Sequence, residues 1–251
     1  NNIEVLLSGE GADELFGGYK YFSQLANNAA RLSADEIDQA IVFRDGMEST
    51  EFLKSIYPEI KPQKFYEERL NHVRRFTGSA FDRQSKYEMT TQLPELLRRQ
   101  DNMTMAYSVE NRVPFLDNDT AALAWSIPEE YLINPVNKEG KFILKEIAKG
   151  YFGHEFAYRK KVGFFIPGNK YLSSNMTFVR NVLASAKKRG IFNTDVLEDW
   201  SREKLAIYGG LNHFQSALFL KLFTLEIWCQ LFVDRKTVEE CKALWGLKSC
   251  M

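Results

Sequence analysis

A glycine-rich segment near the start of the chain combines carboxylates with a backbone that a phosphate group can approach. Residues 8–19 read SGEGADELFGGY, in which the first two glycines leave room for a ligand beside the main chain. The helix expected after them would offer free N–H groups to an anion. Glu10, Asp13 and Glu14, spaced by three and four residues, are predicted to crowd one side of a helical turn and to favour magnesium. The alternative is that acidic residues simply favour the first turn of any helix.

A second segment, residues 108–117, reads SVENRVPFLD and sets a charged pair beside a rigid turn. Pro114 holds the residue before it in an extended conformation, so the helix predicted upstream should end here. Taken alone, the segment also fits an ordinary corner in which Arg112 pairs with Glu110 or Asp117. The chemistry of this segment therefore stays open when it is considered by itself.

A third segment, residues 159–167, reads RKKVGFFIP, in which three cations precede a glycine and an apolar run. A positioned lysine or arginine can stabilise the negative charge that develops on a departing polyphosphate. A bare run of three charges also fits a solvated basic loop, and the segment alone favours that simpler interpretation.

The elements that must position these segments are predicted to be almost all helical. Ile3–Leu7 reads as a short buried strand without a partner in the chain, which predicts either that its neighbouring strands lie elsewhere or that it is frayed. We expect helices over Pro94–Val109 and over Lys141–Lys149, the latter stopped by Gly150. The apolar stretch Phe214–Val233 is interrupted by charged residues, which favours a buried helix over a membrane span. The predicted fold class is therefore mainly α.

Whole-chain composition excludes several classes of partner and site. The 33 basic and 33 acidic residues balance, so no overall field attracts nucleic acid or an anionic membrane. The cysteines, Cys229, Cys241 and Cys250, are odd in number and widely spaced, which fits neither a disulfide framework nor a zinc site. Such cysteine usage favours a reducing cytoplasm. No Gly/Ser-rich linker divides the chain, so residues 1–251 are predicted to be part of a single domain.

Taken together and in order, these segments resemble the ATP-pyrophosphatase domain of the glutamine-dependent asparagine synthetases. Residues 8–19 are similar to the family's SGEGxDExFGGY block, residues 109–117 to its VExRxPFLD block and residues 159–164 to its RxKxGF block. Between them, residues 141–146 (KFILKE) resemble its K-x-x-L-[RK]-E helix. The resemblance runs from Val5 to about Leu231 and implies the C-terminal portion of an α/β adenine-nucleotide α-hydrolase-like domain.

The resemblance implies ATP-dependent amide formation. The β-carboxylate of aspartate attacks the α-phosphate of ATP, and ammonia then displaces AMP from β-aspartyl-AMP. ATP and magnesium are the implied cofactors, and the ammonia comes from glutamine hydrolysed in an N-terminal glutaminase domain. The chain has no cysteine before Cys229 and no SGGxDS phosphate loop, so alone it is expected to be inactive. A cytoplasmic location is implied, and homo-oligomerisation stays open.

The same resemblance implies roles for individual residues. Glu10 is similar to the family's candidate general base, and Lys161 to the lysine that contacts pyrophosphate in the adenylation transition state. Asp13 is implied to bind magnesium on the pyrophosphate side. The residues implied to shape the turn beside the nucleotide are Ser8, Gly9 and Gly11. The residues implied to shape or orient the substrate site are Asp101, Arg112 and Asp117.

Other functions remain open for the sequence. The same scaffold resembles β-lactam synthetases, lasso-peptide cyclases and amidotransferases that act on another carboxylate such as a sugar acid. A different class of function is a helical interaction module that kept the fold and lost the chemistry. Glu10, Asp13 and Lys161 are all present, which favours the catalytic interpretation.

Overall fold

The computed structural model describes residues 3–43, 54–160, 168–203 and 213–246. Its contacts divide the chain into two compact units, the first formed by Asn1–Met47 and Pro62–Lys161 and the second by Glu48–Lys61 and Val162–Met251. The described residues are mainly helical, which confirms the predicted secondary-structure class. That residues 1–251 are part of a single domain stays a prediction.

The first unit combines two short strands with helices of four to fourteen residues. In chain order they are β1 (Val5–Leu7), α1 (Ala12–Leu15), α2 (Lys20–Asn28), α3 (Ala34–Val42), α4 (Pro62–Val73), α5 (Ala80–Thr90), α6 (Gln92–Met105), β2 (Glu110–Arg112), α7 (Asn118–Ser126), α8 (Glu129–Leu132), α9 (Phe142–Phe152) and α10 (His154–Ala157). Short 3₁₀ turns lie at Ala29–Arg31 and Pro114–Leu116.

Capping boxes explain where two of these helices begin. At the start of α3, the Ser33 hydroxyl accepts a hydrogen bond from the Glu36 N–H, while the Glu36 carboxylate accepts one from the Ser33 N–H at 2.8 Å. At the start of α5, Ser79 and Asp82 make the same reciprocal pair, at 3.1 and 2.8 Å. Each box satisfies backbone donors that the first helical turn leaves without a partner.

The strands β1 and β2 form a parallel two-stranded sheet, with Val5 opposite Glu110 and Leu7 opposite Arg112. The expectation of a buried strand without a partner is wrong in both respects. The chain itself supplies the neighbouring strand, and the side chains of β1 are exposed, Leu7 by 67%. The helix expected over Pro94–Val109 ends at Met105, which releases the residues that form β2.

Two apolar clusters form the core of the first unit. One joins α1 and α2 to α5, α7 and α8 through Leu15, Phe16, Phe22, Phe81, Ala124, Leu132 and Ile133. The other joins α2, α3, α4 and α5 through Leu25, Ile41, Val42, Val73 and Tyr87. The glycine-rich segment therefore continues into a helix, α1, that is anchored in the core.

In the described part of the second unit, helices are joined by turns. Its elements are α11 (Gly168–Ser174), α12 (Met176–Arg189), α13 (Asp195–Glu203), α14 (His213–Trp228), a π-helical turn (Cys229–Val233) and α15 (Val238–Trp245). The buried members of its core are Leu172, Phe178, Val179, Val182, Leu183, Leu197, Phe219, Phe223, Cys241 and Trp245.

By length and composition alone, one helix of the described residues, Gln215–Val233, is apolar enough to cross a membrane. The polar interruptions therefore do not exclude a span by themselves. Packing is more informative, because Phe219 and Phe223 are buried in the core of the second unit while Trp228 and Phe232 are exposed. The helix thus buries one face against its own unit, as the sequence interpretation requires of a core helix.

A buried carboxylate on this helix is compensated by several donors. The side chain of Glu226 is 1% exposed and receives a bidentate interaction from Arg189, at 2.7 and 3.1 Å. Ser185 and Gln230 also donate to it, at 2.7 and 2.9 Å. The indole N–H of Trp245 donates to Gln230 at 3.0 Å, which ties α15 to the same network. Such partners are what a charge buried in an apolar core requires.

This network predicts a stability that depends on pH. Burial raises the pKa of Glu226, but hydrogen bonds from Arg189, Ser185 and Gln230 outweigh it and leave the pKa below its usual value. The stabilisation is then complete above the unfolded pKa and is lost as the pH falls through the folded one. We expect the free energy of unfolding, from urea titrations, to decrease as the pH falls from about 5 to about 3.

Two variants distinguish the contribution of Glu226 to the pH dependence of stability from the contributions of other carboxylates. Glu226→Gln should show a smaller loss of stability over this pH range than the wild type, because the titrating group is gone. Glu239→Gln, at a position 68% exposed on α15, should keep the wild-type dependence. Equal pH dependence in Glu226→Gln and the wild type would show that other groups dominate.

Candidate active site

The parallel pairing of β1 and β2 brings the first two sequence segments together. Both strands run in the same direction, so the turn after Leu7 and the turn after Arg112 leave the same edge of the sheet. The Ser8 N–H donates to the Arg112 carbonyl at 2.9 Å, which extends the pairing into the glycine-rich turn. Residues 8–11 and residues 113–117 are thereby held side by side.

The two glycines of this turn have different roles. Gly11 has a φ of 88°, a conformation that favours glycine, and a Cβ there would lie 2.3 Å from the Leu116 side chain and would displace it. Gly9 is exposed, and a Cβ built on it meets no atom within 4 Å. The turn is therefore packed against the second segment at Gly11 and open to a ligand at Gly9.

The side chain of Ser8 is held by a residue that the sequence did not reveal. Its hydroxyl donates to the Gln100 Oε1 atom at 3.2 Å, which links the turn to α6. Asp101 follows Gln100 on the same helix and is exposed. A glutamine in an amphipathic helix carries no sequence signal of such a contact, whereas the adjacent aspartate does belong to the predicted set.

The three carboxylates of the first segment do not form one cluster. Glu10 lies in the turn before the four-residue helix α1, Asp13 is partly exposed, and Glu14 is fully buried. Among the described residues, no group of three or more histidine, cysteine or acidic side chains could hold a metal ion. The expectation that Glu10, Asp13 and Glu14 crowd one side of a helical turn is therefore wrong, because the helix begins after Glu10.

Glu14 is a structural acid. Its Oε1 atom accepts a hydrogen bond from the Tyr19 hydroxyl at 2.6 Å. Burial raises the pKa of Glu14, the bond from Tyr19 offsets part of this effect, and the charges of Asp13 and Glu10 raise the pKa further. The spacing of the acidic residues could not predict that Glu14 is buried, because Glu14 differs from Glu10 and Asp13 only in facing the core. Its buried position fits the fixing of Tyr19 better than the binding of a cation.

Asp13 is paired with a lysine from a distant part of the sequence. Its Oδ1 atom lies 2.9 Å from the Nζ atom of Lys141, the first residue of the KFILKE block. The Lys141 N–H also donates to the Phe16 carbonyl at 2.8 Å. A Cβ at Gly18 would lie 1.9 Å from Asp13 Oδ1 and 2.2 Å from Lys141 Cε, so this glycine leaves the space that the ion pair fills. The sequence resemblance includes Lys141 in this block but implies no role for it.

The turn in the second segment, residues 108–117, is stabilised by contacts between residues that are close in sequence. Arg112 makes a bidentate pair with Glu110, at 3.0 and 3.2 Å, and this contact lowers the pKa of the Glu110 carboxyl. Asp117 caps α7 by accepting a hydrogen bond from the Asp119 N–H at 3.1 Å. The structure therefore contains the charged pair that the simpler interpretation of this segment anticipates, and a role for Arg112 or Asp117 toward substrate stays a prediction.

The third segment is described only at its first two residues. The Arg159 guanidinium lies 3.9 Å from the centre of the Phe156 ring, and Lys160 is exposed. Lys161, the residue implied to contact pyrophosphate, lies outside the described residues. Its role stays a prediction.

Comparison with known proteins identifies the group to which these segments belong. The family described as asparagine synthase matches residues 1–230. The chain belongs to the asparagine synthase family. The family assignment made from the ordered segments is thus confirmed.

Curated members of the asparagine synthase family are similar to most of the chain. Asparagine synthetase [glutamine-hydrolyzing] 1 of Bacillus subtilis (strain 168) is 30% identical over 244 residues, covering 81% of this chain and 38% of that protein. Asparagine synthetase [glutamine-hydrolyzing] 3 of the same organism is 32% identical over 164 residues, covering 62% and 25%. Asparagine synthetase [glutamine-hydrolyzing] 1 of Saccharomyces cerevisiae is 29% identical over 174 residues, covering 64% and 21%. No solved structure matches.

The backbone at Gly140 packs closely against the backbone at Gly17, so substitution of Gly140 is expected to destabilise the fold. A Cβ at Gly140 would lie 1.8 Å from the Gly17 carbonyl oxygen, so the backbone must move to accept any side chain. Gly140→Ala is expected to lower the free energy of unfolding by about 2 kcal/mol, as overpacking does. Thermal and urea unfolding of the two proteins would measure the difference.

Gly150 provides the matched control. It lies inside α9, and a Cβ there meets no atom within 4 Å. Gly150→Ala should therefore stabilise the chain by up to about 1 kcal/mol through helix propensity. If Gly140→Ala were as harmless as Gly150→Ala, the close contact that seats Lys141 beside Asp13 would be absent from the protein in solution.

Proposed function

We propose that this chain forms part of the synthetase site of an enzyme that converts aspartate to asparagine through β-aspartyl-AMP. The observation that carries the proposal is the parallel β1–β2 pair, which holds the glycine-rich turn beside the VExRxPFLD segment. In α/β proteins, ligands bind beyond the carboxyl ends of parallel strands. Both family segments occupy that position, and both belong to a family whose curated members are named asparagine synthetases.

The glycine-rich turn is the proposed nucleotide contact. Gly9 leaves open space on the exposed side of the turn, while Ser8 and Gly11 fix its shape through Gln100 and Leu116. These contacts keep the backbone in one conformation before a ligand arrives. Preorganisation of this kind lowers the cost of binding.

Asp13 is the proposed magnesium ligand. Its side chain is 22% exposed, in contrast to the buried Glu14, so a cation can approach it, in competition with the Lys141 ammonium group for the Oδ1 atom. Magnesium is commonly held by one or two carboxylates together with substrate phosphates, so one accessible carboxylate fits the requirement. When bound there, the ion would neutralise charge on the phosphates of ATP.

The proposed chemical roles fall on two residues. Glu10, in the turn after β1, would accept a proton from the nitrogen that attacks the acyl-adenylate. Lys161 would stabilise charge on the leaving pyrophosphate. Asp101, Arg112 and Asp117 would shape the surroundings of the substrate without taking part in bond making.

The ammonia is proposed to come from a glutaminase domain outside these residues. The chain spans 38% of the length of the Bacillus subtilis relative, whose name specifies glutamine hydrolysis. No cysteine precedes Cys229, which is buried in the second unit and so could not serve as an exposed nucleophile. We assign the whole enzyme to the cytoplasm, in keeping with the cysteine usage of the chain.

An isotope experiment on the full-length gene product tests the proposal. The enzyme is supplied with ATP, magnesium, ammonia and aspartate labelled with ¹⁸O in its β-carboxylate, and the AMP is examined by mass spectrometry. Attack of the carboxylate on the α-phosphate predicts one labelled oxygen in AMP and one asparagine formed for each AMP. Unlabelled AMP would rule out the adenylate route. Turnover with a sugar acid but none with aspartate would assign the enzyme to a different acceptor.

A further inference from the structure

A cavity of about 300 Å³ lies in the first unit, apart from the residues assigned to the candidate active site. It is open to solvent on one side and is lined by the start of α5, which contributes Phe81 and Asp82, and by the end of α7 with the start of α8, which contribute Trp125, Ser126 and Glu129. Its volume corresponds to the lower end of the range found for small-molecule sites. None of its lining residues belongs to the three motif segments or to the KFILKE block.

The charged groups that line this cavity are both acidic. Burial raises the pKa of Glu129, the charge of Asp82 raises it further, and Lys138 offsets only part of the effect. Asp82 is also the capping residue of α5, with its Oδ2 atom 2.8 Å from the Ser79 N–H. Within the described part of the chain, the Glu129 carboxylate has no hydrogen bond or ion pair. Two acidic side chains therefore face one cavity, and the charge of Lys138 offsets only part of their negative charge.

The remaining walls suit a cation that carries an apolar body. Phe81 is buried, and Trp125 is 44% exposed while its indole N–H approaches the Ser85 hydroxyl at 3.4 Å. Aromatic faces attract cations, and the aliphatic side chains of Ile127 and Leu132 complete an apolar lining. An inorganic cation would leave these apolar surfaces without a partner. A neutral apolar molecule would leave the carboxylates without one.

We propose that this cavity binds a small primary amine with an apolar chain, its ammonium group lying between Asp82 and Glu129. The site is independent of the proposed synthetase reaction, since its lining shares no residue with the site of that reaction. An ammonium group would donate hydrogen bonds to the two carboxylates and balance their charge, and its alkyl chain would replace water against the aromatic walls.

Pentylamine and the neutral isostere 1-pentanol are the probes that test this site. Isothermal titration of the 251-residue chain at constant ionic strength is expected to give saturable binding of pentylamine and at least tenfold weaker binding of 1-pentanol, about the effect of one charged hydrogen bond. Equal affinity for the two probes would overturn the proposal, because the cavity would then be merely apolar. Absence of saturable pentylamine binding would overturn it as well.

Adjacent glutamates on α8 give a matched pair of variants. Glu129→Gln removes the charge that faces the cavity and is expected to weaken pentylamine binding by about tenfold or more. Glu130→Gln removes an exposed charge one residue away and should leave the affinity at the wild-type value. Far-UV circular dichroism checks that both variants fold. Wild-type affinity in a folded Glu129→Gln variant would overturn the assignment of the ammonium site.

Discussion

Incubated with ATP, magnesium, aspartate and either ammonia or glutamine, the isolated 251-residue chain is expected to release no pyrophosphate above the rate without protein. The physical reason is the missing phosphate contacts, because the chain contains no SGGxDS sequence to surround the polyphosphate of ATP. Residues 208–212 read YGGLN and supply the glycines without the serine or the aspartate; they lie outside the described residues. The glycine-rich turn at residues 8–11 can shape only one side of such a site.

Controls make a negative result informative. The full-length Bacillus subtilis relative, assayed in parallel, verifies that the coupled pyrophosphate assay detects turnover. A helical circular dichroism spectrum verifies that the isolated chain is folded. Pyrophosphate release by the isolated chain at a rate near that of the relative would mean that the whole nucleotide site lies within these 251 residues, and the proposed division of the site would be wrong.

The sequence predicted the helical class and the family correctly but missed the sheet. The strand β2 contains Glu110, Asn111 and Arg112, three polar residues without the alternation that marks a strand. Its conformation depends on hydrogen bonds to β1, about a hundred residues earlier in the chain. A local sequence pattern cannot predict that two strands so far apart in the chain will pair. For the same reason the exposed side chains of β1, which read as buried in the sequence, became visible only in the structure.

Helix ends and contact partners were also beyond the reach of local patterns. Gly150 was expected to stop the helix that begins near Lys141, but α9 continues to Phe152 and ends at Gly153, whose φ of 81° suits only a glycine. A single glycine inside a helix costs little, so its presence is a weak stop signal. The pairing of Lys141 with Asp13 likewise depends on how α9 packs beside α1, which no spacing within either segment encodes.

The sequence therefore predicted which residues belong to the candidate site better than it predicted how they are arranged. Ser8, Gly9 and Gly11 could be selected from sequence because glycines mark turns and close approaches. The different environments of Glu10, Asp13 and Glu14 could not, since burial separates them and sequence spacing does not. This difference affects function. Of these three carboxylates, only Glu10 and Asp13 are accessible enough to contact a ligand.

In the full-length enzyme, Lys161→Ala and Glu10→Gln are expected to impair different steps. Loss of the lysine should slow formation of the acyl-adenylate by about a hundredfold or more, as removal of one preorganised transition-state contact does. A side-chain amide cannot accept a proton from the attacking nitrogen, so Glu10→Gln should slow amide formation by about a hundredfold while adenylation continues. The acyl-adenylate should therefore accumulate in Glu10→Gln and not in Lys161→Ala.

Neighbouring residues supply matched controls for this pair. Lys160→Ala removes an exposed cation one position before Lys161, and Glu4→Gln removes an exposed carboxylate at the opposite end of β1 from Glu10. Neither control residue is assigned a role, so both variants should retain rates within a few-fold of the parent enzyme.

Single-turnover experiments distinguish the steps. Transfer of ¹⁸O from labelled aspartate into AMP, with pyrophosphate followed over time, reports adenylation, and asparagine formation in the same samples reports aminolysis. Lys161→Ala should delay pyrophosphate and asparagine together, whereas Glu10→Gln should release pyrophosphate at close to the parent rate and form asparagine slowly. If Lys161→Ala forms the adenylate at the parent rate, the lysine does not stabilise the leaving group. If Glu10→Gln forms asparagine normally, the proton goes to another base and the role assigned to Glu10 is incorrect.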